Sequence, residues 1–182
     1  MSDNTAVDPQ KLADMLARQE IRDVLARHAR GTDRADGDLL RSCYHDDAVE
    51  EHGPNYHGPA SEYVSGAIER LKLMGDMAHY LCQSHIELEG DTAWVETYVL
   101  TFARFAAANA EGGEVDTLTG GRYCDRFERR DGEWRIAYRR MTFDWNRDMA
   151  ANQNWCQGLF DTAAEGFHPG SKDRDDLSYQ RF

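Results

Sequence analysis

Gly121-Arg122-Tyr123-Cys124-Asp125-Arg126-Phe127-Glu128-Arg129-Arg130-Asp131-Gly132-Glu133-Trp134-Arg135-Ile136 is the stretch from which the fold of this chain can be read. Polar and apolar residues alternate on both sides of Asp131-Gly132, the period of strands whose side chains point to opposite faces. Asp-Gly is a preferred pair for a tight hairpin turn. The stretch therefore reads as two long strands joined by that turn, with Phe127, Trp134 and Ile136 available for packing.

Working outward, the same period extends over segments 79–89, 92–108, 114–130 and 133–147, all rich in Trp, Tyr, Phe, Val, Ile and Thr. Glu89-Gly90-Asp91, Ala110-Glu111-Gly112-Gly113 and Arg130-Asp131-Gly132-Glu133 separate them as hairpin connections. Upstream the period is helical. Leu12, Met15, Leu16, Ile21, Val24, Leu25 and Ala29 mark a long amphipathic helix from Pro9 to Asp33, with Asp8-Pro9 as its start and Gly31 suited to its end. A short second helix is expected from Leu39 to Tyr44, a short strand over 47–52, loop through Gly53-Pro54 and Gly58-Pro59, and a third helix from Ala60 to Met74. Helices followed by an antiparallel meander give an α+β chain. Long strands must curl, and three N-terminal helices are available to cover the concave side.

The chain has 182 residues, enough for one domain with a core. We divide it into a loose N-terminus (1–8), the α+β domain (9–149) and a tail (150–182). The tail keeps Trp155, Leu159, Phe160, Phe167, Tyr179 and Phe182, and is expected over the open end of the sheet or on a neighbouring subunit. A net charge of −12 argues against a general nucleic-acid binder, because phosphate contacts need clustered cations. The arginines between 126 and 140 do cluster, but they alternate with apolar residues and read as solvated sheet faces. Cys43, Cys82, Cys124 and Cys156 lack metal-site spacing, and no apolar run of ~18 residues or signal peptide is present. The expectation is a cytoplasmic protein with reduced thiols, no metal, and no membrane or nucleic-acid partner.

Asp33 and His79 carry the chemistry. Asp33 closes the first helix and His79 opens the first strand of the meander. An aspartate that orients an imidazole, and an imidazole that takes a proton, make a general-base device that needs no cofactor. Taken singly, Asp33 also suits a helix-end turn and His79 a structural role. On a regular strand His85 shares the face of His79 and Gln83. Arg140 shares a face with Trp134, Ile136 and Asp144, so its partner is Asp144 or a substrate oxygen. Trp94, Tyr98, Leu100 and Phe102 share one face of the second long strand, as core or as substrate contacts.

The element order and local motifs resemble the SnoaL-like branch of the nuclear-transport-factor-2-like superfamily. The matching residues run from about 12 to 147. They include Ile21-Arg22-Asp23-Val24-Leu25 with Asp33, Tyr44-His45-Asp46-Asp47-Ala48, Tyr56-His57-Gly58-Pro59, His79 with Ile86-Glu87-Leu88-Glu89-Gly90-Asp91, and the opening block. The resemblance implies a cone-shaped, curved antiparallel sheet (an α+β barrel) whose three helices enclose a hydrophobic pocket. It is nearest to the hexachlorocyclohexane dehydrochlorinase and scytalone dehydratase type, in which an Asp–His dyad abstracts a proton and a group leaves from the neighbouring carbon. Asp33 and His79 match that dyad. Arg140 falls where a site arginine stands, His28 where a lysine stands, and Gln83 where many relatives have asparagine. The implied activity is a cofactor-independent lyase. It would eliminate water or another small oxygen-bearing fragment, formaldehyde included, from a small hydrophobic, aromatic or polycyclic substrate. His79, Asp33, Arg140 and His28 would be catalytic, and Gln83, His85, Tyr98 and Trp94 would contact substrate. The alternatives are an isomerase or cyclase acting on a polycyclic ketone, and a non-catalytic ligand-binding module. The resemblance also implies a homodimer or homotrimer.

Overall fold

The computed structural model describes residues 8–105, 113–152 and 155–180. The expected loose N-terminus, all but Asp8, and the Ala110-Glu111-Gly112 part of the second hairpin connection lie outside them. Helix α1 (Pro9–Asp33) starts where Asp8 accepts the backbone N–H of Gln10 at 3.0 Å, with proline in its first turn. Ala17, Ile21, Val24, Leu25 and His28 form its buried stripe. Gly31 lies within the helix rather than beyond its end. Helix α2 (Gly37–Arg41) crosses so closely that a Cβ at Gly31 would stand 2.9 Å from Leu40 N. Helix α3 (Ala60–Leu73) buries Val64, Ala67, Ile68 and Leu71.

Among the described residues six strands form one mixed, curved, unclosed sheet in the order β2-β1-β6-β5-β4-β3. They are β1 (Tyr44–Glu51), β2 (His57–Pro59), β3 (Met77–Glu89), β4 (Thr92–Phe105), β5 (Val115–Arg130) and β6 (Glu133–Ala150). The meander β3–β6 is antiparallel throughout, whereas β1 runs parallel to β6. Two local readings are corrected. The second helix covers Gly37–Arg41, because Asp36 caps Leu39 N and Tyr44 already opens β1. His57–Pro59, expected as loop, pairs with β1 as an edge strand, a place that tolerates proline. At the β5–β6 turn Asp131 and Gly132 both take positive φ (52° and 85°), the backbone of a type I′ hairpin.

Ile21, Val24, Leu40, Val64, Phe127 and Ile136 are at most 1% exposed and fill the space between helices and sheet. Burial of each such side chain contributes about 1.5–3 kcal/mol. The tail returns to the helix ends beside Asp33. Arg30 donates to Ser178 O, Tyr179 Oη donates to Asp36 Oδ2 at 2.7 Å, Arg34 pairs with Asp176, and Lys172 Nζ donates to the carbonyls of Leu71 in α3 and of Met74 just beyond its end. An ammonium at a helix C-terminus is favoured by the helix dipole.

Candidate active site

The last turn of α1 carries Asp33 to the third residue of β3. Asp33 Oδ1 lies 2.6 Å from His79 Nδ1, and Asp33 Oδ2 accepts the backbone N–H of His79 at 3.0 Å. One carboxylate thus fixes both the ring and the strand that bears it. Both side chains are largely buried, 15% and 11% exposed. With Nδ1–H donated to the carboxylate, Nε2 keeps its lone pair. A charge-assisted contact of this length is among the stronger hydrogen bonds in a protein.

A second polar chain runs deeper beneath the helices. Arg139 makes a bidentate pair with Asp125 (2.7 Å for each bond), both essentially inaccessible to solvent, and its guanidinium lies 3.9 Å over the Tyr123 ring. Its remaining nitrogen, Nη1, lies 2.9 Å from His28 Nε2. Tyr44 Oη stands 2.8 Å from that same Nε2 and donates to Glu50 Oε2 at 2.9 Å. Glu50 Oε1 lies 3.2 Å from His52 Nδ1, which also meets Tyr63 Oη at 3.1 Å. The His52 ring stacks on Tyr63 and meets the edge of Phe143. Burial, reinforced by the Arg139 charge, holds the His28 imidazolium far below the usual histidine range, so the ring is neutral. Burial likewise pushes Tyr44, Tyr63 and Tyr123 upward, keeping these phenols protonated.

Of the residues singled out from sequence, Asp33, His79 and His28 lie on the concave side. Arg140, Gln83, His85, Trp94 and Tyr98 lie on the convex face, and two β-bulges explain why for the three on β3 and β6. In β3, Leu81 pairs with Val99 but Ser84 pairs with Thr97, so Cys82 and Gln83 together oppose one residue. Beyond that bulge the alternation inverts: Ser84 and Ile86 turn inward, Gln83 and His85 outward. In β6, Ile136 pairs with Phe127 and Tyr138 with Arg126, leaving Ala137 as the extra residue. Arg139 is therefore the interior arginine. Arg140 is 57% exposed and pairs with Glu51, not Asp144, which Arg122 holds instead. On β4, Val95, Thr97 and Val99 point inward, while Trp94 (50% exposed) and Tyr98 (41% exposed) point out. Sequence reasoning missed Arg139, Asp125, Tyr44, Glu50 and Tyr63 as site neighbours. The Asp125–Arg139 pair carried no local signal, because its register depends on Ala137.

The convex face has a hollow of about 540 Å³ lined by His85, Trp94, Glu96, Arg126, Tyr138 and Arg140, among others. Its guanidiniums are already engaged, Arg126 by Glu128 and Arg140 by Glu51 and Tyr138. The oriented imidazole, not this hollow, marks the candidate chemistry. Among the described residues no group of three or more His, Cys, Asp and Glu side chains could hold a metal ion, and no helix is long and apolar enough to cross a membrane.

The model of the SnoaL-like domain family matches residues 13–140. Among solved structures, the chain resembles a putative scytalone dehydratase from Novosphingobium aromaticivorans (TM-score 0.65, 16% identity, covering 76% of this chain and 91% of that one). It also resembles a hexachlorocyclohexane dehydrochlorinase from Novosphingobium barchaimii (TM-score 0.70, 20% identity, 78% and 96%). A nuclear transport factor 2-like superfamily protein from Salmonella enterica has TM-score 0.62 and 18% identity, covering 72% of this chain and 94% of that one. At these identities the likeness is one of fold. No curated protein matches the chain.

Proposed function

Because the chain belongs to the SnoaL-like domain family, we propose that it is a cofactor-independent lyase in which His79 is the general base and Asp33 its orienting partner. The observation that carries this reading is the double grip of Asp33 on the ring Nδ1 and the backbone N–H of His79, which leaves Nε2 free to accept a proton. The names of two structural neighbours, a dehydratase and a dehydrochlorinase, support elimination as the reaction class.

His79 Nε2 takes hydrogen from carbon as a proton, and Asp33 stabilises the imidazolium that forms. The C–H electron pair becomes the second bond to the neighbouring carbon, whose oxygen substituent leaves with its bonding pair. That oxygen takes up a proton from the His79 imidazolium, which restores the base, and departs as water. Where the substituent is a hydroxymethyl group, the proton comes from its hydroxyl instead. The C–C bond breaks, formaldehyde departs, and the remaining carbon takes the proton back. Leu81, Val99, Tyr123 and Met141 pack together on the concave side near the dyad strand, and a substrate seated against that apolar cluster would be hydrophobic, aromatic or polycyclic.

Substituting His79→Ala and measuring elimination from hydroxylated aromatic compounds tests the reading. A rate loss of about 10²–10⁴-fold with folding intact is expected, and unchanged turnover would sink it. Ligand affinity retained without turnover in the unsubstituted protein would instead mark a binding module. The convex face exposes Tyr80, Trp94, Tyr98 and Trp145, a surface that a second or third copy of the chain would cover. A monomer by light scattering at micromolar concentration would rule out that assembly.

A further inference from the structure

Two buried polar atoms near His79 have no hydrogen-bond partner among the described residues: His28 Nδ1 and Thr101 Oγ1. Thr101 is the cross-strand partner of His79 in the β3–β4 ladder. Directly opposed residues of an antiparallel pair project to the same side with Cβ atoms about 4.5–5.5 Å apart, so its hydroxyl belongs to the concave face beside the imidazole. The β4 register against β5 is unbroken from Thr92 to Phe105, and Thr97 and Val99, on the same alternation, are buried inward. His28 is 6% exposed and close enough to His79 for their charges to interact.

The state of the His28 ring follows from proton counting. A guanidinium only donates, so Arg139 Nη1 needs a lone pair at His28 Nε2. Tyr44 Oη, whose hydrogen goes to Glu50, would favour a hydrogen at that same nitrogen. A charged donor makes a hydrogen bond roughly twice as strong as a neutral one, so Arg139 decides. The lone pair is on Nε2 and the single ring hydrogen on Nδ1, where it has no acceptor. Buried polar groups in native proteins are nearly always satisfied, so an orphan calls for an explanation. The other two orphans are of a different kind: Arg34 Nε stands 3.1 Å from Asp176 within an ion pair, and Trp134 Nε1 belongs to a core residue remote from the dyad in the ladder.

We infer that Thr101 Oγ1 and His28 Nδ1–H are contact points for oxygen atoms of the substrate, so that the site selects an oxygenated compound over a hydrocarbon of the same shape. This rests on His79 being the base and adds what the dyad leaves open, the polarity of the molecule that sits against it. Thr101 is a specificity-determining residue in this scheme, and Arg139 a positioning residue that acts through the tautomer of His28.

Phenol and toluene, nearly equal in shape, are the probes, with binding followed by calorimetry or NMR titration. The unsubstituted protein should prefer phenol. Thr101→Val, which keeps the shape and removes the hydroxyl, should weaken phenol about tenfold and leave toluene unchanged, while Thr101→Ser restores phenol binding. The melting temperature of ligand-free Thr101→Val should rise, because an unsatisfied buried hydroxyl has been removed; a merely structural threonine would lower it. Nitrogen-15 shifts should show the His28 hydrogen on Nδ1, and Arg139→Met should release it to Nε2. No preference for phenol in the unsubstituted protein, equal losses for both probes in Thr101→Val, or an Nε2–H ring would overturn the inference. His79→Ala should keep the phenol preference, so failure of the base assignment and failure of this one read out separately.

Discussion

Asp33 holds His79 at two points of different character, a ring nitrogen at 2.6 Å and a backbone amide at 3.0 Å. The amide contact fixes where β3 begins relative to the end of α1, and the ring contact fixes the tautomer. Substituting Asp33→Asn keeps the size but removes the charge, and an amide NH₂ can turn toward the ring and reverse its tautomer. Activity should fall about 10²–10⁴-fold while the unfolding midpoint stays close to that of the unsubstituted protein. Rates measured beside denaturant melts check this, and a large fall in stability would make Asp33 chiefly structural.

Stability should fall as pH drops below neutrality because of His28. Burial depresses its folded-state pKa below the ordinary value of 6.5. The unfolded chain therefore binds a proton below about pH 6.5 that the folded chain refuses. The stability contribution is present in full above that pH and is lost on acidification, at up to about 1.4 kcal/mol per pH unit for one such group. Denaturant melts between pH 7.5 and 5 should show the slope. His28→Gln, which still offers Arg139 an acceptor but cannot titrate, should flatten it.

Arg139 and Arg140 are neighbours in sequence and opposites in environment. Removing the Arg139 guanidinium leaves Asp125 buried without its counter-ion, and breaking a buried pair in this way costs about 3–5 kcal/mol. Arg140→Ala breaks an exposed pair with Glu51 and should cost at most about 1 kcal/mol. Chemical denaturation of Arg139→Met and Arg140→Ala gives the comparison. Activity should survive the second substitution, and its loss there would return Arg140 to the site.

Gly31→Ala tests the α1–α2 crossing. Its added Cβ would stand 2.9 Å from the backbone nitrogen of Leu40, an atom that cannot rotate away. A loss of about 1–3 kcal/mol is expected, together with reduced activity, since Asp33 lies two residues further along the same helix. A midpoint equal to that of the unsubstituted protein would show that α2 yields without cost.

The architecture was legible because its signals are local. Helical stripes, the Asp131-Gly132 turn and long alternating segments each declare themselves within a dozen residues, and Asp33 and His79 stand where an α1-to-β3 contact was expected. The face of each strand was less legible. Alternation identifies a side only while the register is regular, and single extra residues near Gln83 and at Ala137 inverted it midway along β3 and near the start of β6. His85 and Arg140 were read across those points and assigned to the wrong face. Nothing in Leu81-Cys82-Gln83-Ser84 or Ile136-Ala137-Tyr138 announces a bulge, since neither contains a glycine or proline. The parallel pairing of β1 with β6 was equally silent, because it joins segments roughly ninety residues apart.

That last pairing has a consequence for the order in which the molecule can be made. β1 leaves the ribosome early, yet most of its ladder is supplied by β6, its other sheet partner among the described residues being the three-residue β2. Arg139, which orders His28 from the far side, arrives on β6 as well. A nascent chain can form α1 and hold Asp33 against His79 once β3 has emerged, but the seam between the first and last strands must wait for nearly the whole domain. Contacts this distant in sequence slow folding. Until they form, the β6 side of β1 is an unpaired edge, and this is the stage at which a newly made chain is most exposed to association with its neighbours.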